Sequence, residues 1–133
     1  MWRTSESQLL SEAILNLDLS FIEKRLVQKQ NWASKDAQEA IRRYRNFLFL
    51  IVKYPSEPLA PAPDVDEVWH THILFTQEYM QACNAIFGSY LHHTPANEES
   101  EELMHTAQSN TSALYRKEFN EPYLHELDIA SFW

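Results

Sequence analysis

Four of the six histidines in this 133-residue chain, His70, His72, His92 and His93, fall within 24 residues, beside Asp64, Asp66 and the single cysteine, Cys83. Imidazole, carboxylate and thiolate are the side chains that hold zinc and iron, and imidazole and carboxylate also move protons near neutral pH. The segment from 63 to 95, PDVDEVWHTHILFTQEYMQACNAIFGSYLHHTP, is therefore where chemistry is expected.

Helical geometry sorts these residues. A helix advances about 100° per residue, so His70 and His72 point roughly 200° apart and could share one metal only on a strand. The spacing of Val65, Val68 and Trp69 puts His72 on the apolar side and predicts a core histidine. Asp66 lies one turn before His70 on the other side, where the two can ligate one ion together or the carboxylate can orient the ring. Asp64 is expected to cap the helix. If a break near residue 76 folds two helices into an antiparallel hairpin, Cys83 comes opposite His70, and the loop carrying His92 and His93 returns to the level of Asp66. The candidate metal ligands are thus Asp66, His70, Cys83, His92 and His93. Four ligands would close a structural zinc site, whereas three leave a position for water or substrate. Each has a plainer role open to it: Cys83 as a small core residue, the loop histidines as cations at a helix C-terminus. His105 and His125 stand alone and carry no functional reading.

The elements that must position this set read as helices. Leu9, Leu10, Ala13, Ile14 and Leu17 recur at helical spacing over 5–17, and Ser20 with Glu23 has the capping-box spacing for a second helix. Ser34 is a candidate cap for a third, whose stripe of Ala37, Ile41, Tyr44, Leu48 and Ile51 runs to Pro55. YPSEPLAPAP, residues 54–63, holds four prolines in ten and predicts a stiff connector across the surface. Two short helices follow, with Thr76 capping the second and Gly88 ending it. Asn97 and the acids after it open a last helix running to Asn120, and the tail EPYLHELDIASFW is expected to be irregular and packed by its aromatics. The sequence thus predicts one all-α domain, 1–133, of about six helices with a Pro-rich connector before a central helical hairpin.

Composition supports this and removes other classes. Hydrophobic residues make up 44% and aromatics 13%, too apolar for a disordered chain, and one glycine is too few for the turns of a sheet protein. Eleven basic against nineteen acidic residues give a net charge of −8, which argues against nucleic acid and anionic membranes as partners. The basic run Arg42, Arg43 and Arg45 reads as the solvated face of an amphipathic helix. The longest apolar run, FLFLIV, is far short of the ~20 residues of a membrane span. A lone cysteine and an acidic N-terminus without signal-peptide character predict a cytoplasmic protein.

The central stretch also resembles the core pattern of the glycine-rich domain-containing protein-like family, in its short bacterial type. The matching positions are Asp66, Trp69, His70, His72, Tyr79, Cys83, Gly88 and His92, with ILFT, HH and the following proline. YRNFLFLIVKYP and TSALYRKEFNEP are similar to the family's flanks, so the likeness runs from about residue 40 onward. It implies a helical domain and specifies no reaction, and this chain lacks the glycine-rich tract for which the family is named.

Two functions stand side by side. One is a domain using a divalent transition metal, zinc or iron, toward a small-molecule partner. The other is a non-catalytic domain for a protein partner, in which the His and Trp cluster is structural. A metal-free Asp66 and His70 dyad activating the Cys83 thiol is a third, and needs that thiol to be accessible.

Overall fold

A computed structural model describes residues 4–93 and 101–123. Every regular element among them is an α-helix: α1 Thr4–Leu15, α2 Ser20–Gln30, α3 Ser34–Lys53, α4 Pro63–Leu74, α5 Thr76–Ile86 and α6 Glu101–Phe119. The all-α class is as the periodicity predicts. The start of the last helix at Asn97 and the tail beyond Tyr123, with His125, lie outside the described residues.

The amphipathic α3 is the hub, packing against α1, α2, α4 and α6. Ala37, Ala40, Ile41, Tyr44, Phe47, Leu48 and Leu50 are buried along it at the i, i+3, i+4 spacing of a helix face. Ile22 and Leu26 of α2, Val65 and Val68 of α4, and Tyr115 of α6 are fully buried in the same core. Each such aliphatic side chain contributes roughly 1.5–3 kcal/mol by leaving water.

The helix starts differ from the expected caps. Each begins one residue beyond a cap that makes no side-chain bond: Leu19 for α2, Ala33 for α3, Phe75 for α5. Ser20 donates from both its amide and its hydroxyl to Asp18, at 3.0 and 2.6 Å, instead of pairing with Glu23. Glu23 reaches across helices, accepting from Ser34 and Gln38 at 3.2 Å each. Gly88 does end α5 as predicted: it takes φ 75°, a left-handed conformation that glycine adopts without cost, and its N–H reaches the Cys83 carbonyl at 3.1 Å.

The connector is not simply a surface crossing. Ala60 and Ala62 are buried, so their amide N–H groups must find acceptors within the protein. Thr111 of α6 accepts the Ala60 N–H at 2.8 Å and the Tyr123 hydroxyl accepts that of Ala62 at 3.0 Å. Asn110 adds a bond to the Pro58 carbonyl at 2.9 Å. The connector is thereby stitched to α6 and Tyr123, and it delivers Pro63 to the first position of α4, where a missing N–H costs nothing.

The basic run on α3 is only partly solvated. Arg42 bridges exposed Glu39 and half-buried Glu121, and Arg45 donates to the Ile14 carbonyl at 2.6 Å. Arg43, only 3% exposed, forms an ion pair with Asp64. Asp64 is therefore not the cap of α4, which is Ala62, but an inward carboxylate. Removing one partner of a buried pair leaves the other charge uncompensated. Asp64→Ala is expected to lower stability by roughly 3 kcal/mol or more in urea unfolding; a loss below about 1 kcal/mol, the range of exposed pairs, would show the pair to be screened by solvent.

His72 is a core residue, as its helix face predicts, at 1% exposure. Its Nδ1 lies 2.7 Å from the Tyr44 hydroxyl. Burial holds the Tyr44 hydroxyl well above its usual pKa, so it keeps its proton and donates it to a neutral imidazole. Burial likewise pushes His72 down from 6.5 to about 4, against a smaller opposing effect of a hydrogen bond to the Glu78 backbone. Between these two values the unfolded chain binds the extra proton and the folded chain does not, so stability is full above pH ~6.5 and is lost as pH falls toward ~4. The loss amounts to on the order of 3 kcal/mol. His72→Gln, which can still accept from Tyr44, is expected to flatten the decline of the melting temperature between pH 6.5 and 4.5; an unchanged pH profile would refute the assignment.

Candidate metal centre

Two turns of α4 and one return of the chain build the site. Asp66 and His70 stand one turn apart, with His70 Nε2 3.5 Å from Asp66 Oδ1. The intervening Trp69 turns inward, at 5% exposure, and its indole N–H donates to the Tyr79 hydroxyl at 2.9 Å. That hydroxyl donates in turn to the Leu91 carbonyl at 2.6 Å. Burial raises the Tyr79 pKa, although the indole N–H favours the phenolate, so the hydroxyl remains a donor. Leu91 is held a second time by its amide, which reaches Cys83 Sγ at 3.5 Å.

With Leu91 fixed, His93 is laid on α4. Its ring stacks flat on Trp69, centroids 4.0 Å apart and planes within 1°. Its Nε2 meets Asp66 Oδ1 at 2.6 Å, and its ring lies 4.8 Å from that of His70. One ligand atom from each of Asp66, His70 and His93 falls within 4.8 Å of the others. The side chains grade from half-exposed His70 through Asp66 to His93, which is mostly covered.

Asp66, His70 and His93 are thus brought together, and Cys83 and His92 stand outside the group. Cys83 is 1% exposed, within the core beside Tyr79, with the Leu91 amide on its sulfur instead of His70 opposite it. That burial also denies it the access a nucleophilic thiol needs. His92 is exposed and packs edge-on against Tyr90, centroids 4.8 Å apart. Neighbours in an irregular, extended stretch tend to point apart, and it is His93, not the His92 of the matching pattern, that faces α4. Trp69, which spacing places on the apolar side, and Tyr79 are contributors through their polar atoms. The signal was present in their chemistry, because a tyrosine or tryptophan on an apolar face must find a partner for its polar atom.

Two imidazoles and one carboxylate suit zinc or ferrous iron. Ligands about 2.1 Å from a common ion lie roughly 3–3.5 Å from one another. The 3.5 Å between His70 and Asp66 already meets that condition, and the 2.6 Å between His93 and Asp66 must open to meet it.

Residues 11–122 match the UCP032817-like family. Over 92 residues the chain is 33% identical to Glycine-rich domain-containing protein 1 and 30% identical to Glycine-rich domain-containing protein 2, both of Arabidopsis thaliana. Each match covers 65% of this chain and only 11% or 12% of the plant protein, so the chain spans about a tenth of the length of these curated relatives. No solved structure matches it. The likeness to the glycine-rich domain-containing proteins, carried in the sequence by the segment around Trp69 and His70, is supported by both relatives. The chain belongs to the UCP032817-like family.

Proposed function

We propose that this protein is a small helical metal-binding domain that holds zinc or ferrous iron through Asp66, His70 and His93. The observation that carries the reading is the meeting of three ligand atoms within 4.8 Å, two from α4 and one from a chain segment more than twenty residues later. Three protein ligands leave coordination positions open, the arrangement of a site that receives a small ligand instead of a closed structural one. A bound ion of this kind polarises a carbonyl or activates water, and ferrous iron in a two-histidine, one-carboxylate set also activates oxygen. The chain's own contribution is to fix the donors: Trp69 sets the plane of the His93 ring, and Asp66 sits between the two imidazoles. The compartment proposed is the cytoplasm, in keeping with a lone, buried cysteine. No helix among the described residues is long and apolar enough to cross a membrane.

A second reading has its own observation. The 2.6 Å contact between His93 and Asp66 is already a direct hydrogen bond, so the cluster could serve only to pin the segment after α5, as in a non-catalytic interaction domain. Half-exposed His70 separates the two, because it gives the fold little and would give an ion one of its three ligands. In untagged, metal-free protein, one equivalent of zinc or ferrous iron is expected to bind and to raise the melting temperature. A free-metal concentration 100 times the Kd adds about 2.7 kcal/mol. His70→Ala should abolish that rise while shifting the metal-free melting temperature only slightly. Absence of stoichiometric binding, with His93→Ala destabilising the protein equally with and without a chelator, would establish the structural reading instead.

A further inference from the structure

A cleft of about 330 Å³ adjoins the ligand group through His93, which lines the cleft and is also one of the three ligands. Its walls are Pro58, Leu59 and Pro61 of the connector, Met104 and Ala107 of α6, and Trp69 beneath His93. We infer that this cleft takes the aromatic body of a small anionic ligand whose oxygen donors complete the coordination of the ion held by Asp66, His70 and His93. The inference rests on the metal reading above.

Size, polarity and charge each narrow the occupant. A cavity of about 150 Å³ admits benzene, so 330 Å³ accepts one ring with a short substituent. The cleft lining holds no acidic or basic side chain other than histidine, in a chain of net charge −8. Flat walls of proline, an indole edge and a thioether favour a planar apolar body, since offset rings and sulfur-to-ring contacts add to area burial. A dication neutralised by the single Asp66 carboxylate keeps one positive charge, which an anionic oxygen donor would balance. The connector that forms one wall is held rigidly, because the buried Ala60 and Ala62 amides are tied to Thr111 and Tyr123. That wall is therefore preformed, which lowers the ordering cost of binding against it.

Benzohydroxamate and acetohydroxamate carry the same oxygen-donor head and differ in the aromatic body. With cobalt(II) as the ion, its visible absorption reports both loading and the arrival of the hydroxamate. Benzohydroxamate is expected to bind at least about tenfold more tightly than acetohydroxamate. Ala107→Trp, which fills the cleft, should bring the ratio close to one without weakening cobalt binding. Met104→Ala, a truncation at a half-buried position that folding tolerates more readily, should lower the ratio about threefold. Equal affinities on a cobalt-loaded protein, or a preference that survives both substitutions, overturn the inference while leaving the metal reading intact. Failure of cobalt to bind overturns the metal reading and this inference with it.

Discussion

The rotation of α4 about its own axis is the constraint on which the rest of the chemistry depends. At about 100° per residue, Asp64, Val68, His72, Val65 and Trp69 occupy one arc, and Asp66 and His70 begin where that arc ends. Two polar contacts to α3 set the rotation: Arg43 holds Asp64 and Tyr44 holds His72. Apolar packing alone would allow the helix to roll by a fraction of a turn at modest cost, because hydrophobic attraction is non-directional. A buried ion pair and a buried hydroxyl-to-imidazole bond do not allow it, since each loses a partner in low-dielectric surroundings as soon as the helix turns. The inward aspartate and the inward histidine thus aim the outward ones.

The outward pair still lacks its third member, and Tyr79 supplies the connection. One phenolic hydroxyl accepts from Trp69 and donates to Leu91, so it fixes the surface on which His93 rests and the backbone two residues before it. The glycine at 88 is the other requirement, because the chain must leave α5 through a left-handed residue to turn back toward α4. A site divided between a rigid helix and an irregular return is precise only when the return is anchored, and here the anchors are hydrogen bonds to buried or half-buried groups.

Periodicity made most of this fold legible. The α3 stripe, the break at Phe75 and the stop at Gly88 all follow from local rules, and so does the separation of His72 from His70. What local rules could not supply was the identity of long-range partners. Arg43 looks like its neighbours Arg42 and Arg45 along the chain, and a long-range partner, Asp64, twenty-one residues away, pairs with it in the interior. The same blindness placed the connector on the surface, since nothing near Ala60 in sequence announces Thr111 as the acceptor of its amide. The caps failed for a smaller reason: a serine one position inside a helix has the same composition signature as one at its boundary.

The candidate site shows the same division between what spacing determines and what tertiary structure decides. The pairing of Asp66 with His70 is a property of one helix and needed nothing else. Bringing Cys83 to His70 required equal distances from a hairpin midpoint, and that count assumes two helices lying side by side with their facing residues in step. The chain instead buries Cys83 against Leu91 and Tyr79, and uses its sulfur to hold the backbone that carries His93. The cysteine and one of the two loop histidines are therefore both connected to the site, but through different links: His93 as a proposed ligand, Cys83 as part of what positions it. A residue whose type suits ligation can serve a site equally well by fixing the segment on which the ligand stands, and burial is what separates the two roles here.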